Sequence, residues 1–249
     1  MSHITLVKQL FELTRSTGYI SANPSYHRSA MNTTITLDED ETVNAYADSL
    51  SENRHTINIF QGLVDALYFV GIDSAVYERN HDMIQLRDAC NFVGRNALDG
   101  FNQNKTEFGI KELGYDTQIN NVLIARATTF MAGGVLSVIA HEQGHICLMH
   151  TLRNDIDYDI SRNDERQADL FAQSVISALP YKDANILASL FTEILFCWMG
   201  KDRGGPATTH PHSRERVFNI YNSHEQYFEA MNFSIQDIEY FLPKKVNNA

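Results

Sequence analysis

Val135-Leu136-Ser137-Val138-Ile139-Ala140-His141-Glu142-Gln143-Gly144-His145-Ile146-Cys147-Leu148 is the stretch whose reading decides the fold. Its apolar residues fall on nearly every side of a helix, the mark of a buried helix, yet two histidines and a glutamate interrupt its middle. Residues four apart differ by about 40° around a helix axis, so His141 and His145 project from one face and can hold one metal ion together. Glu142 lies about 100° further round, too far to ligate beside them but placed to take a proton from a water on that ion. Ionisable groups in so apolar a helix are costly unless they share a ligand, which favours one Zn2+ per chain over two histidines satisfied by core carbonyls.

Composition sets bounds around this motif. The 249 residues, 43% hydrophobic and 20% charged, suffice for one core, so the chain reads as a single domain over 1–249. A net charge of −11, with no basic cluster beyond Lys244-Lys245, argues against nucleic acid as a partner. Cys90, Cys147 and Cys197 are too few and too scattered for a disulfide framework or a cysteine zinc site, and they suit a reducing compartment. Residues 1–14 carry Lys8 and Glu12 and lack a signal-peptide cleavage pattern. The two most apolar windows, 130–140 and 186–199, fall short of a bilayer's thickness, and the second contains Glu193. The expectation is a soluble, cytoplasmic protein without a membrane span, with non-classical export still compatible.

Hydrophobic periodicity predicts a helix over 6–13, an extended segment over 33–37 and a solvated acidic turn at Asp38-Glu39-Asp40-Glu41. Alternation over 43–47 and 56–60, across the polar connection 49–54, predicts an antiparallel strand pair. Helical spacing returns over 62–67, 82–93 and 120–127, while the polar, glycine-containing stretch 102–116 reads as a long surface loop. The motif helix is expected to begin near Gly133-Gly134, where glycine permits close approach, and to end before Asn154-Asp155. Further helices are expected over 164–178, with Ser161 as N-cap, over 183–198, closed by Gly200, and after Ser213, with a mobile loop at 200–209. The fold class is therefore α+β, mainly helical, with a small antiparallel sheet beside the motif helix.

A catalytic zinc site needs a third protein ligand. A metzincin would place glycine at 148 and histidine at 151, where this chain has Leu148 and Thr151. Glu165, in Asp164-Glu165-Arg166-Gln167-Ala168-Asp169, is the better candidate, because it lies on a separate helix near enough in sequence to pack beside the first. Ala168 is small enough for close packing, and Asp169, one turn beyond Glu165, could accept a hydrogen bond from a ligand imidazole. The plainer alternative for both acids is a charged face pairing with Arg162 and Arg166. His210 and His212 compete as third ligands.

In order along the chain, these pieces resemble the gluzincin metallopeptidases that include the HtpX heat-shock protease and the CAAX prenyl endopeptidases. The H-E-x-G-H helix with a further histidine is matched by His141, Glu142, Gly144, His145 and His150; the E-x-x-A-D helix by Glu165, Ala168 and Asp169; the T-H-P motif and later arginine by Thr209, His210, Pro211 and Arg216. The upstream N-A-F-A segment, strand and G-L resemble Asn44-Ala45-Tyr46-Ala47, 57–60 and Gly62-Leu63. The resemblance covers about 43–217 and implies a zincin-like metallopeptidase fold. Departures are an extended segment over about 68–133, no membrane anchor and Val217 where the family usually has isoleucine.

The expected activity is that of a zinc metalloendopeptidase acting on a protein or peptide, with Glu142 as general base and His210 or Arg216 donating to the developing oxyanion. The bland counterpart is a helix entry at His210-Pro211 and a structural ion pair at Arg216. An extended substrate would add to the strand pair's edge. Cys147 reads as core, and His150 either supports a ligand histidine from behind or caps the helix end. Rivals are a catalytically silent relative that binds a peptide or protein, an aminopeptidase, or an enzyme acting on something other than a protein.

Overall fold

The computed structural model describes residues 2–80, 83–152, 157–201 and 213–243. Three short helices, α1 (His3–Arg15), α2 (Gly18–Ser21) and α3 (Pro24–Met31), lead into strands β1 (Thr33–Asp38), β2 (Ala45–Ser51) and β3 (Arg54–Phe60). Then come α4 (Gln61–Asn80), α5 (Met83–Asn96), α6 (Gln103–Glu112), α7 (Asn121–Cys147), α8 (Tyr158–Ser177), α9 (Lys182–Phe196), α10 (Ser213–Ser223), α11 (Glu225–Ala230) and α12 (Ile235–Phe241). The α+β, mainly helical reading holds at this level.

Around α7 the other helices are arranged, with α4, α8, α9 and α1 packed along it. Asn120 starts it by accepting hydrogen bonds from the Val122 and Leu123 amides, so it begins well before the expected Gly133-Gly134. Those glycines sit in mid-helix for packing: a Cβ on Gly133 would lie 2.8 Å from Ala188 Cβ, and one on Gly134 2.9 Å from Thr192 Oγ1, both on α9. Because 120–127 and the motif form one helix, α7 has 27 residues and a mean hydropathy of 1.8 in its most apolar stretch. The expectation that no segment is long enough to cross a bilayer is thereby corrected for length and composition. Here α7 is a core helix, with 56% of that stretch buried.

Strands β2 and β3 pair antiparallel as expected, but β1 joins the other side of β3 in parallel, so the sheet is mixed, in the order β1-β3-β2, rather than antiparallel. The physical reason is burial: β3 carries the fully buried Ile57 and Ile59 and takes the centre, leaving β2 as an edge. Asn44 O accepts from Phe60 N, so the alternation of an antiparallel ladder turns the backbone groups of Ala45 and Ala47 away from β3.

Other expectations shift for local reasons. The stretch 102–116 holds α6, capped by Asn102 and ended by Gly114 at φ 72°, instead of a long loop. It reads as polar because in α6 only Thr106 and Gly109 are buried. Helix α8 starts at Tyr158 with Asp157, not Ser161, as cap. A π-helical turn, Cys197–Lys201, extends α9, and three helices rather than one follow Ser213. Most of the expected mobile loop lies outside the described residues.

Two predictions follow from the packing of α7 and the sheet. A Cβ on Gly71 of α4 would meet Ala127 O of α7 at 2.6 Å, so Gly71→Val should cost about 2 kcal/mol or more, read as a lower urea midpoint. In the sheet, burial lowers the pKa of His55, whose Nδ1 lies 2.6 Å from Ser49 Oγ. The unfolded ring protonates near 6.5 and the folded one only below that, so this contribution is present above 6.5 and lost as the pH falls through the lowered folded value. Thermal melts between pH 8 and pH 5 (about the span over which histidine titrates) should fall less steeply for His55→Gln than for the parent.

Candidate metal centre

His141 and His145 leave α7 one turn apart, and Glu165 reaches them from α8. His141 Nε2 and His145 Nε2 are 3.1 Å apart; Glu165 Oε2 is 3.3 Å from the first and Oε1 3.5 Å from the second. Side-chain exposures are only 12%, 14% and 11%. For a tetrahedral ion with bonds near 2.0–2.1 Å the ligand–ligand edge is about 3.3 Å, close to the separation of the two nitrogens; the carboxylate turns a different oxygen to each ring, and one ligand atom from each residue lies within 4.8 Å of the others. Two imidazole nitrogens facing each other beside a carboxylate need a cation between them, either a proton or a metal ion. This buried group could hold a metal.

Each ring is oriented from behind. His141 Nδ1 lies 2.9 Å from Asp169 Oδ1 and donates to it, which leaves its Nε2 lone pair for the ion. Arg216 Nε and Nη2 clamp Asp169 at 2.9 and 2.6 Å, and Nη2 also lies 3.1 Å from Glu193 Oε1 on α9. The 3.3 Å approach of Arg216 Nη2 to His141 Nδ1 is a by-product of this clamp, since a nitrogen donating to Asp169 cannot also accept. His145 Nδ1 lies 3.1 Å from His150 Nδ1, and His150 Nε2 is 3.5 Å from Asp164 Oδ1. Met149, in the left-handed region at φ 63°, bends the chain after α7 and brings His150 back onto His145.

Electrostatics divides the two rings. Burial opposes charge on both, but hydrogen bonds to Asp169 and Glu165 overcome it and raise His141 to about 10, so that its Nε2 holds a proton that a metal ion would have to displace. On His145, burial and the neighbouring His141 charge push the pKa down to about 3. Burial would raise Asp169 too, yet Arg216 and His141 hold it below the usual carboxylate range. Glu142 is raised, chiefly by burial, and accepts a hydrogen bond from the Ala47 amide of β2. A cleft of about 710 Å³ joins these groups, walled by Asn44 to Ala47 of the sheet edge, the ligand faces of α7 and α8, and the inner faces of α9 and α10.

Of the expected site residues, His141, Glu142, His145, His150, Glu165, Asp169 and Arg216 all line this one cleft. Thr209, His210, Pro211 and His212 lie outside the described residues, which leaves the oxyanion role expected of His210 or Arg216 without a geometric counterpart among them. Arg216 itself is committed to Asp169 and Glu193. Sequence reasoning missed Glu193 and Asp164 as parts of the site. A lone carboxylate inside the apolar run 186–199 was the available signal for Glu193; Asp164 is indistinguishable from a surface acid until His150 is seen to fold back. No family model matches the chain, and no curated protein or solved structure is significantly similar to it.

Zinc retention during dialysis against a chelator should rank these roles. Glu165→Ala should lose the ion most readily, whereas Asp169→Ala and His150→Ala should weaken retention by about 10- to 100-fold relative to the parent. Retention weaker in Asp169→Ala than in Glu165→Ala would exchange the two assignments.

Proposed function

We propose that the chain is a zinc-dependent endopeptidase of gluzincin type, with zinc held by His141, His145 and Glu165. The convergence of these three side chains, with the imidazole nitrogens 3.1 Å apart and a carboxylate oxygen 3.3 to 3.5 Å from each, is the observation that carries the reading. When bound, zinc supplies Lewis acidity, which polarises a carbonyl and makes a water easier to deprotonate.

Glu142 adjoins His141 on the cleft side, and its burial-raised pKa brings a carboxylate closer to the basicity a proton acceptor needs at neutral pH. It takes the proton of the attacking water and passes it to the leaving amine. The Ala47 amide fixes one side of its carboxylate, so the base keeps one orientation. Asp169 and the His150–Asp164 pair hold the ligand rings, and Arg216 keeps Asp169 ionised.

Substrate binding follows from the sheet edge. Ala45 and Ala47 turn backbone groups toward the cleft, and an extended peptide laid beside β2 would pair with those not already used, placing its backbone past Glu142. Main-chain pairing of this kind suits an unfolded or loop segment of a protein substrate.

Glu142→Gln should lower cleavage of an unfolded protein by about 100-fold or more while zinc content stays that of the parent. Undiminished cleavage in that variant would remove Glu142 from the mechanism.

A further inference from the structure

Besides the metal ligands, the cleft is lined by Ser137 of α7, Ala172 and Gln173 of α8, Ser189 and Glu193 of α9 and Ile220 of α10, which together form what we call its inner pocket. Polar groups stand out in this inner pocket because they interrupt helix faces that are otherwise buried and apolar. Ser137 Oγ and Ser189 Oγ lie 2.8 Å apart, one on α7 and one on α9. One turn further along α9, the Glu193 side chain is only 8% exposed. Arg216 takes Oε1 at 3.1 Å, while Oε2 has no hydrogen-bond partner.

This carboxylate is undercompensated. Arg216 is shared, and its bidentate grip is on Asp169, so Glu193 has only one edge of the guanidinium. Burial accordingly pushes the Glu193 carboxyl up to about 7. The cleft as a whole is rich in acids: Glu142, Asp164, Glu165, Asp169 and Glu193 line it against one arginine. At long range the chain's net charge of −11 draws cations in the same direction.

We propose that the inner pocket receives a cationic substrate side chain, lysine or arginine, at a residue flanking the scissile bond, with the Glu193 carboxyl as its acceptor, ionised by the pairing. This rests on the endopeptidase reading and adds specificity to it. An ammonium or guanidinium carries several donors, and the pocket offers acceptors that match: Glu193 Oε2, the Ser137–Ser189 hydroxyl pair and the Gln173 amide oxygen. A neutral side chain leaves Oε2 buried without a donor, and an acidic one meets carboxylates on both sides, so selectivity comes from repulsion as well as attraction.

The test uses the zinc-loaded full chain and a peptide series identical except for Lys, Arg, Leu or Glu on either side of the scissile bond. We expect kcat/KM for the Lys or Arg peptide to exceed that for the Leu peptide by about tenfold or more, with the Glu peptide slowest. Glu193→Gln should bring the Lys-to-Leu ratio close to unity, and Glu193→Asp, which keeps the charge, should retain most of it. A general loss of rate in Glu193→Gln with the ratio unchanged would overturn the proposal and leave Glu193 as a support for Arg216. Affinities of the same peptides for Glu142→Gln protein keep the two readings apart. Preference for Lys in binding, with no cleavage by the parent, sinks the endopeptidase reading alone; cleavage without charge preference sinks the pocket assignment alone.

Discussion

Ala168 lying against Gly144 is the contact on which the site depends. A Cβ at 144 would stand 3.1 Å from Ala168 Cα, 3.2 Å from its carbonyl oxygen and 3.2 Å from Phe171 Cβ, so α7 and α8 touch backbone to backbone there. Gly144 immediately precedes His145, and Ala168 is three residues past Glu165 on the next helix. The closeness that these two small residues allow is what brings a carboxylate on α8 within 3.5 Å of both imidazoles on α7. Glycines 133 and 134 do the same further along α7, letting α9 approach until Glu193 and Ser189 form the cleft's inner wall. The sheet edge is located by a smaller device, the Ser49 hydroxyl, 2.6 Å from His55 Nδ1 and 2.5 Å from Thr151 Oγ1 in the turn after α7.

Charge in this core is held collectively. Glu193 is buried and Asp169, Arg216 and His141 are largely so, and each is tolerable only because the others are present: one guanidinium serves two carboxylates, and one carboxylate also orients a ligand ring. Removing one member strands its partners in a medium that cannot solvate them. The same collectivity explains the direction of the shifts. Asp169, with two cations at hand, stays ionised, whereas Glu193, with a fraction of one, is driven toward its neutral form. An arrangement with carboxylates in excess is suited to gathering a metal dication at one end and a cationic side chain at the other.

Much of this was legible in the sequence, and what escaped has identifiable causes. His141, Glu142 and His145 declare themselves because polar groups at helical spacing in an apolar helix need a common purpose, and Glu165 with Asp169 follows from the need for a third donor and a ring partner on one face. The strand pair of β2 and β3 was read from alternation alone. Parallel pairing of β1 was not, since strand order depends on which strand is most deeply buried, and alternation does not report that. Helix α6 resembles a loop in sequence because most of its surface faces solvent, and one glycine of that stretch, Gly109, lets the rings of Phe69 and Phe92 approach to 2.7 Å of where its Cβ would be. Glu193 escaped because its importance lies in Arg216, a contact between helices that no local pattern announces.

The central claim is that the chain folds around a three-residue zinc site, and the zinc content of the purified protein measured by plasma mass spectrometry tests it most directly. The account predicts about one zinc per folded chain after stripping and reloading, and almost none in a folded His141→Ala/His145→Ala variant treated alike. A parent protein that folds yet takes up far less than one zinc, or a variant that retains as much as the parent, would contradict it.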